Sequence, residues 1–151
     1  MCSSDLAKRT YVVNIDNDGP FVKSATPIGA ISNLVDHFDV TLDGPIANAS
    51  FTTNAVSLVG ARAPAISGIA ALGGAQWRIQ LASAIPPGDF TLSIGPGILD
   101  EAGNPMNQNR NGVNGEVPGD VFTAAVSIRL ADLKPINVSA PANLEIGRAH
   151  V

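Results

Sequence analysis

The chain is written in short apolar runs that alternate with polar residues, and the alternation has a period of two. Between residues 35 and 42, Phe38, Val40 and Leu42 fall on one face and His37, Asp39 and Thr41 on the other. The same beat runs through Trp77, Ile79 and Leu81, and through Phe90, Leu92 and Ile94. It returns in Phe122, Ala124, Val126 and Ile128, with Arg129 facing outward. Successive residues of a strand point to opposite faces, so each run predicts a half-buried strand. Further extended runs are predicted over residues 9–15, 21–25, 55–59 and 64–72. One helical or 3₁₀ turn is predicted over residues 49–53, and no stretch has the spacing of a long helix.

Turn formers punctuate these runs. Pro86, Pro87 and Gly88 predict a tight turn, and hence a hairpin between the Trp77 strand and the Phe90 strand; Gly73-Gly74 predicts another hairpin turn. About seven short strands at roughly ten-residue spacing predict an all-β sandwich. Its core would contain Phe38, Trp77, Phe90 and Phe122.

Composition narrows the function classes. Charged residues make up only 15% of the 151 residues, and the formal net charge is −4. Lys and Arg are scattered singly, so nucleic-acid binding has no electrostatic footprint. No apolar stretch approaches the length needed to span a bilayer as a helix.

The ends form a separate problem. Residues 145–151, EIGRAHV, and residues 1–6, MCSSDL, can be encoded by opposite strands of one oligonucleotide that resembles a sequencing adapter. Both stretches are therefore expected to be laboratory-derived and to stand outside the fold. Cys2 and His150 leave with them, and residues 7–144 then hold no thiol. That excludes disulfide stapling, thiol catalysis and cysteine zinc sites from the remainder. The piece is expected to be an internal slice of a longer reading frame.

The segment over residues 98–122, ahead of the last strand, is the chemically distinctive part. It gathers Asp100, Glu101, Glu116 and Asp120 with Asn104, Asn107, Asn109, Asn111 and Asn114. So polar a segment is expected to be an ordered loop, closed by turns or by a cation. Calcium takes six to eight hard oxygens, and an EF-hand-like loop supplies them from positions one, three and five, with glycine at six and an acid at twelve. Asn107, Asn109, Asn111 and Gly112 match the first four of these, while Pro118 stands at the twelfth. Glu116 and Asp120 could contribute from off-register positions and Asp100 from the start of the loop, so the candidate calcium ligands are Asp100, Asn107, Asn109, Asn111, Glu116 and Asp120. Neutral amides weaken such a site towards the millimolar range of extracellular modules. The competing account is turn chemistry alone: Asx-turns, with Asn111-Gly112 and Asn114-Gly115 as tight-turn dipeptides.

Catalysis has less to build on. The acids show no spacing that marks a catalytic pair, no Gly-x-Ser-x-Gly motif occurs, and His37 sits in a charged stretch between Asp36 and Asp39. No catalytic residue is expected.

The runs FDVTLDGPIANASFTTNAVSLVG and GDFTLSIGPGILDEAGNPM, with a Trp-centred strand between them, resemble the bacterial Ig-like modules repeated in large surface and secreted proteins. DEAGNPM is the most specific element, and NQNRNGVNGEVPGD is similar to an insertion found in some such repeats. The resemblance implies an Ig-like sandwich over residues 20–130, preceded at 7–19 by the last strand of another module. Residues 131–144 are similar to the opening of a CARDB-type adhesion module. The resemblance also implies a non-enzymatic structural or adhesive bead, extracellular or on the bacterial cell surface. Its partners would be neighbouring Ig-like modules and a cell-surface protein or glycan. The other functional class is a carbohydrate-associated accessory module of a secreted enzyme, which would need exposed aromatic rings.

Overall fold

The structure is a computed structural model that describes residues 15–130. The strand expected over 9–15, except for Ile15, and the module start expected over 131–144 lie outside the described residues. Eight strands form: β1 (Val22–Thr26), β2 (Gly29–Ile31), β3 (His37–Leu42), β4 (Val56–Gly60), β5 (Ile66–Gly73), β6 (Gln76–Leu81), β7 (Gly88–Ile94) and β8 (Phe122–Ile128). Short 3₁₀ turns at Asn48–Ser50 and Thr53–Ala55 stand where the sequence predicts a helical turn.

Two four-stranded sheets result, one in the order β1-β3-β6-β5 and the other β2-β8-β7-β4. Neighbours run antiparallel except β2, which lies parallel to β8. First, third, sixth and fifth strands facing fourth, seventh and eighth is the immunoglobulin constant-type order, A-B-E-D against C-F-G, with β2 added beside the last strand. The period-two runs explain the packing. In β3 the alternate residues Phe38, Val40 and Leu42 are buried while His37, Asp39 and Thr41 are half-buried. The inward residues of both sheets fuse into one core that includes Trp77, Ile79, Phe90, Leu92, Ile94 and Val126. Phe122 is only partly buried and packs against its edge.

One expectation is overturned. β6 and β7 do not pair; β6 lies between β3 and β5, and β7 between β4 and β8. The connection over residues 82–87 crosses from one sheet to the other. Its apolar residue Ile85 is fully buried, and the backbone N–H of Ile85 donates to the Val35 carbonyl at 2.8 Å. A tight hairpin turn would have left Ile85 in water, so burial of that side chain decides against the hairpin. The Gly73-Gly74 turn does join a hairpin, β5 to β6, and both glycines have positive φ.

Register also orients the two ends. Ile94 lies opposite Phe122 and Gly88 opposite Ile128, so the connection from β7 to β8 occupies one pole and the end of β8 the other. Val22, which opens β1, is bonded to Gln108 of that connection. The chain thus enters at one pole and leaves at the opposite one. A seven-residue strand separates them by roughly 20 Å.

Candidate functional site at the entry pole

The connection between β7 and β8 is polar by count, yet it is anchored by two fully buried apolar side chains, Ile98 and Met106. Met106 sits where Gly95 leaves room. A Cβ on Gly95 would collide with Met106 Sδ, and Gly95 has φ of 100°, which favours glycine. One short bridge ties the connection to its neighbour, Ile46 to Asp100, and another, Leu99 to Pro105, closes it on itself. The Ala47 N–H donates to the Leu99 carbonyl, and the Leu99 N–H donates to Ser50 Oγ, both at 2.9 Å.

Five of the six candidate ligands come together. Asp120 has no exposed surface; its Oδ2 accepts the Glu116 N–H at 2.8 Å and its Oδ1 the Asn109 N–H at 3.4 Å. Glu116 Oε2 accepts from the side-chain amides of Asn111 at 2.6 Å and Asn109 at 3.4 Å. Asn107 is buried, and its Oδ1 accepts the Asn111 N–H at 3.1 Å. Asn109 Oδ1 accepts the Asn111 N–H and Asn111 Oδ1 the Val113 N–H, two successive Asx-turns. The sixth residue, Asp100, makes its side-chain contacts elsewhere: Oδ1 accepts the Asn104 N–H at 2.8 Å and Oδ2 the Asn104 side-chain amide at 2.9 Å.

A second set of amides, not singled out by the EF-hand-like spacing, grips the entering chain. Asn104 Nδ2 donates to the Asp16 carbonyl at 3.0 Å, and Asn114 Nδ2 to the Asn17 carbonyl at 2.8 Å. Asn114 Oδ1 accepts the Gly19 N–H at 3.4 Å, and the Asn107 N–H donates to the Pro20 carbonyl at 3.0 Å. Gln108 takes the Val22 N–H on its Oε1 at 2.8 Å and returns its Nε2 to the Val22 carbonyl at 3.2 Å. A side-chain amide thereby imitates the backbone of a neighbouring strand. The Arg110 guanidinium stacks over the Phe21 ring at 5.2 Å. The only sequence signal for this grip is the density of amides.

Asp36, Asp39, Asp89 and Asp100 also have structural partners. Asp39 and Arg78, directly opposite across β3 and β6, form a two-point ion pair at 2.7 and 2.9 Å. The Arg78 hydrogen bonds hold the Asp39 carboxyl below its ordinary range. Asp89 is held low by Ser127 and then by Arg129. At Asp100 burial pushes upward, but the hydrogen bonds from Asn104 and the neighbouring backbone outweigh it and hold the group low. His37 pairs through Nδ1 with Asp36 on the outer face of the first sheet.

A folded-state value below the unfolded one means stability that is present above the unfolded pKa and lost on acidification. The urea midpoint is therefore expected to stay level from pH 7 to about 5 and to fall as pH drops below about 4. Asp100→Asn should shrink that fall. A midpoint that rises on acidification would contradict the assignment.

Among known proteins, no family model, curated protein or solved structure matches this chain.

Proposed function

We propose that the chain is a non-catalytic Ig-like bead of a large modular bacterial surface or secreted protein, serving as spacer and adhesive array together with neighbouring Ig-like modules. The observation that carries this reading is the entry of the chain at one pole and its exit at the other. A bead so threaded adds its length to a string, whereas ends on one pole would fold the string back on itself. Contacts with a cell-surface protein or glycan would then gain strength from repetition. The engagement of Asp39, Asp89, Asp100 and Asp120 in structural hydrogen bonds supports a role without catalysis. A carbohydrate-associated accessory module is the less supported reading: Trp77 is 5% exposed and packs against buried Phe51 at 5.3 Å between centroids, so its ring offers no platform for a sugar.

The test is a distance. Spin labels at Ile15→Cys and Leu130→Cys in a Cys2→Ser background should lie farther apart than the roughly 20 Å of the strands. A separation of about 10 Å or less would place both ends on one pole and end the spacer reading.

Calcium at Asn107, Asn109, Asn111, Glu116 and Asp120 is the second element of the proposal. What favours it is Asp120, a carboxylate with no exposed surface that is partnered by two backbone N–H groups, one of them from Glu116, whose own carboxylate accepts from Asn109 and Asn111. Burial of an anion is costly without a compensating charge or hydrogen bonds. To admit the ion, Asn109 and Asn111 must give up their contacts to Glu116. A cation bound only to the folded state raises stability by RT ln(1 + [L]/Kd), about 1.4 kcal/mol at ten times Kd. Melting in millimolar calcium should exceed melting in chelator by a corresponding margin; identical curves would remove calcium from the site.

A further inference from the structure

We infer that the connection over residues 95–121 is a joint: it grips the entering chain and fixes the direction from which residues ahead of Asp16 arrive. Residues 16–21 belong to no strand, so no sheet ladder holds them. Ordering backbone costs conformational entropy that some contact must offset. At Phe21 they come from Asp43, whose side chain accepts the Phe21 N–H at 2.9 Å and whose N–H donates to the Phe21 carbonyl at 3.0 Å; ahead of Phe21 they come from the connection. Asn104, Asn107, Gln108 and Asn114 together reach Asp16, Asn17, Gly19, Pro20 and Val22.

Three features distinguish a grip from incidental proximity. First, the side chains bind the carbonyls of Asp16 and Asn17 and the N–H of Gly19, which every residue except proline could present. At Asp16 and Asn17 the path is fixed through the backbone and not through their side chains. Second, the contacts bracket the segment from both ends, from Asp16 at the pole to Val22 at the start of β1. Third, the fit at the middle is close. A Cβ on Gly19 would overlap the Pro105 carbonyl oxygen, so only glycine lets the segment lie on the connection. Asn114 is the central member, since its amide donates to Asn17 and accepts from Gly19 while making no other side-chain hydrogen bond among the described residues.

The consequence for a string of beads is angular. With a free entry segment, each bead would swivel about its predecessor. With the segment bound along the pole, residues 16–22 cannot swivel against the sandwich and the joint stiffens. The inference rests on the spacer reading only for what precedes the segment; the grip is a property of this chain and is measured on it alone.

The experiment uses the whole chain, in a Cys2→Ser background, with spin labels at Ile15→Cys and at the exposed Thr91→Cys on β7. The parent should give one narrow distance distribution. Asn114→Ala should broaden it at least about twofold, and the Gly19 amide, having lost its acceptor, should exchange about tenfold faster. Gly19→Ala provides a second route, because it lifts the segment off Pro105 without touching the amides. Asn111→Ala serves as the control: it removes the Asx-turn that Asn111 makes to Val113 and the Glu116 contact of the same loop but none of the contacts to the entry segment. It should leave the distribution narrow. Unchanged Trp77 fluorescence confirms that each variant keeps the sandwich. A broad distribution in the parent would overturn the inference. So would a narrow one that survives both Asn114→Ala and Gly19→Ala, or an Asn111→Ala variant as broad as Asn114→Ala. None of these outcomes alters the separation of the two poles, and a short pole-to-pole distance would leave the grip intact.

Discussion

Met106→Ala is expected to cost about 2–5 kcal/mol, the range for emptying a fully buried methionine site. Folded domains hold only about 5–15 kcal/mol in total, so this one change should consume a large share. The reason lies in position. Met106 has no exposed surface, fills the space that Gly95 leaves open, and carries backbone bonds on both sides, its N–H donating to the Pro96 carbonyl and its carbonyl accepting the Gly115 N–H. Truncation opens a cavity beneath the connection and loosens the pole it supports. Met106→Leu keeps the volume and should cost less than about 1.5 kcal/mol. Urea unfolding of the two variants checks the pair. Equal midpoints would show that the side chain is not an anchor.

Asp120→Ala should have the next largest effect. It removes the acceptor of two N–H groups, those of Glu116 and Asn109, and each donor left unsatisfied in the interior costs about 1–3 kcal/mol. Asp120→Asn restores one acceptor but turns an amide N–H towards a donor, so it should recover only part of the loss. Both variants should also lose any calcium-dependent rise in melting temperature. An Asp120→Ala protein as stable as the parent would mean that the carboxylate does not organise the connection. A calcium response retained in that variant would place the ion elsewhere.

Much of the fold was legible because period-two runs carry their own orientation. Phe38, Val40 and Leu42 point inward as the alternation requires, and the Gly73-Gly74 turn joins the strands on either side of it. Sheet membership was not legible in the same way. β6 and β7 each bury one face, and that pattern is the same whether two strands pair or face each other across a core. The discriminating residue was Ile85, a lone apolar side chain among prolines, whose burial shows only in three dimensions. β2 escaped for a different reason: it is three residues long and mostly exposed, too short to display any period. Met106 is isolated within a polar stretch and Ile98 has only Leu99 beside it, so no periodicity marked them as core.

At the candidate site, local spacing disclosed local contacts. The Asn-x-Asn-x-Asn run announced the turns that Asn109 and Asn111 make. The grip on the entering chain joins residues 86 to 97 positions apart. Nothing in the vicinity of Asn104 or Asn114 signals a partner so distant, and only the topology brings them together.

Pulling on a single molecule from its two ends tests the spacer reading most directly. Because the chain enters at one pole and leaves at the other, force applied to the ends draws β1 and β8 in opposite directions along their length. The ladder between parallel β2 and β8 is then loaded in shear, and its bonds share the load instead of opening one by one. A spacer bead should give one cooperative unfolding event that releases roughly 400 Å of chain, the contour of the described sandwich at about 3.5 Å per residue. Gradual extension with no distinct event would contradict that reading.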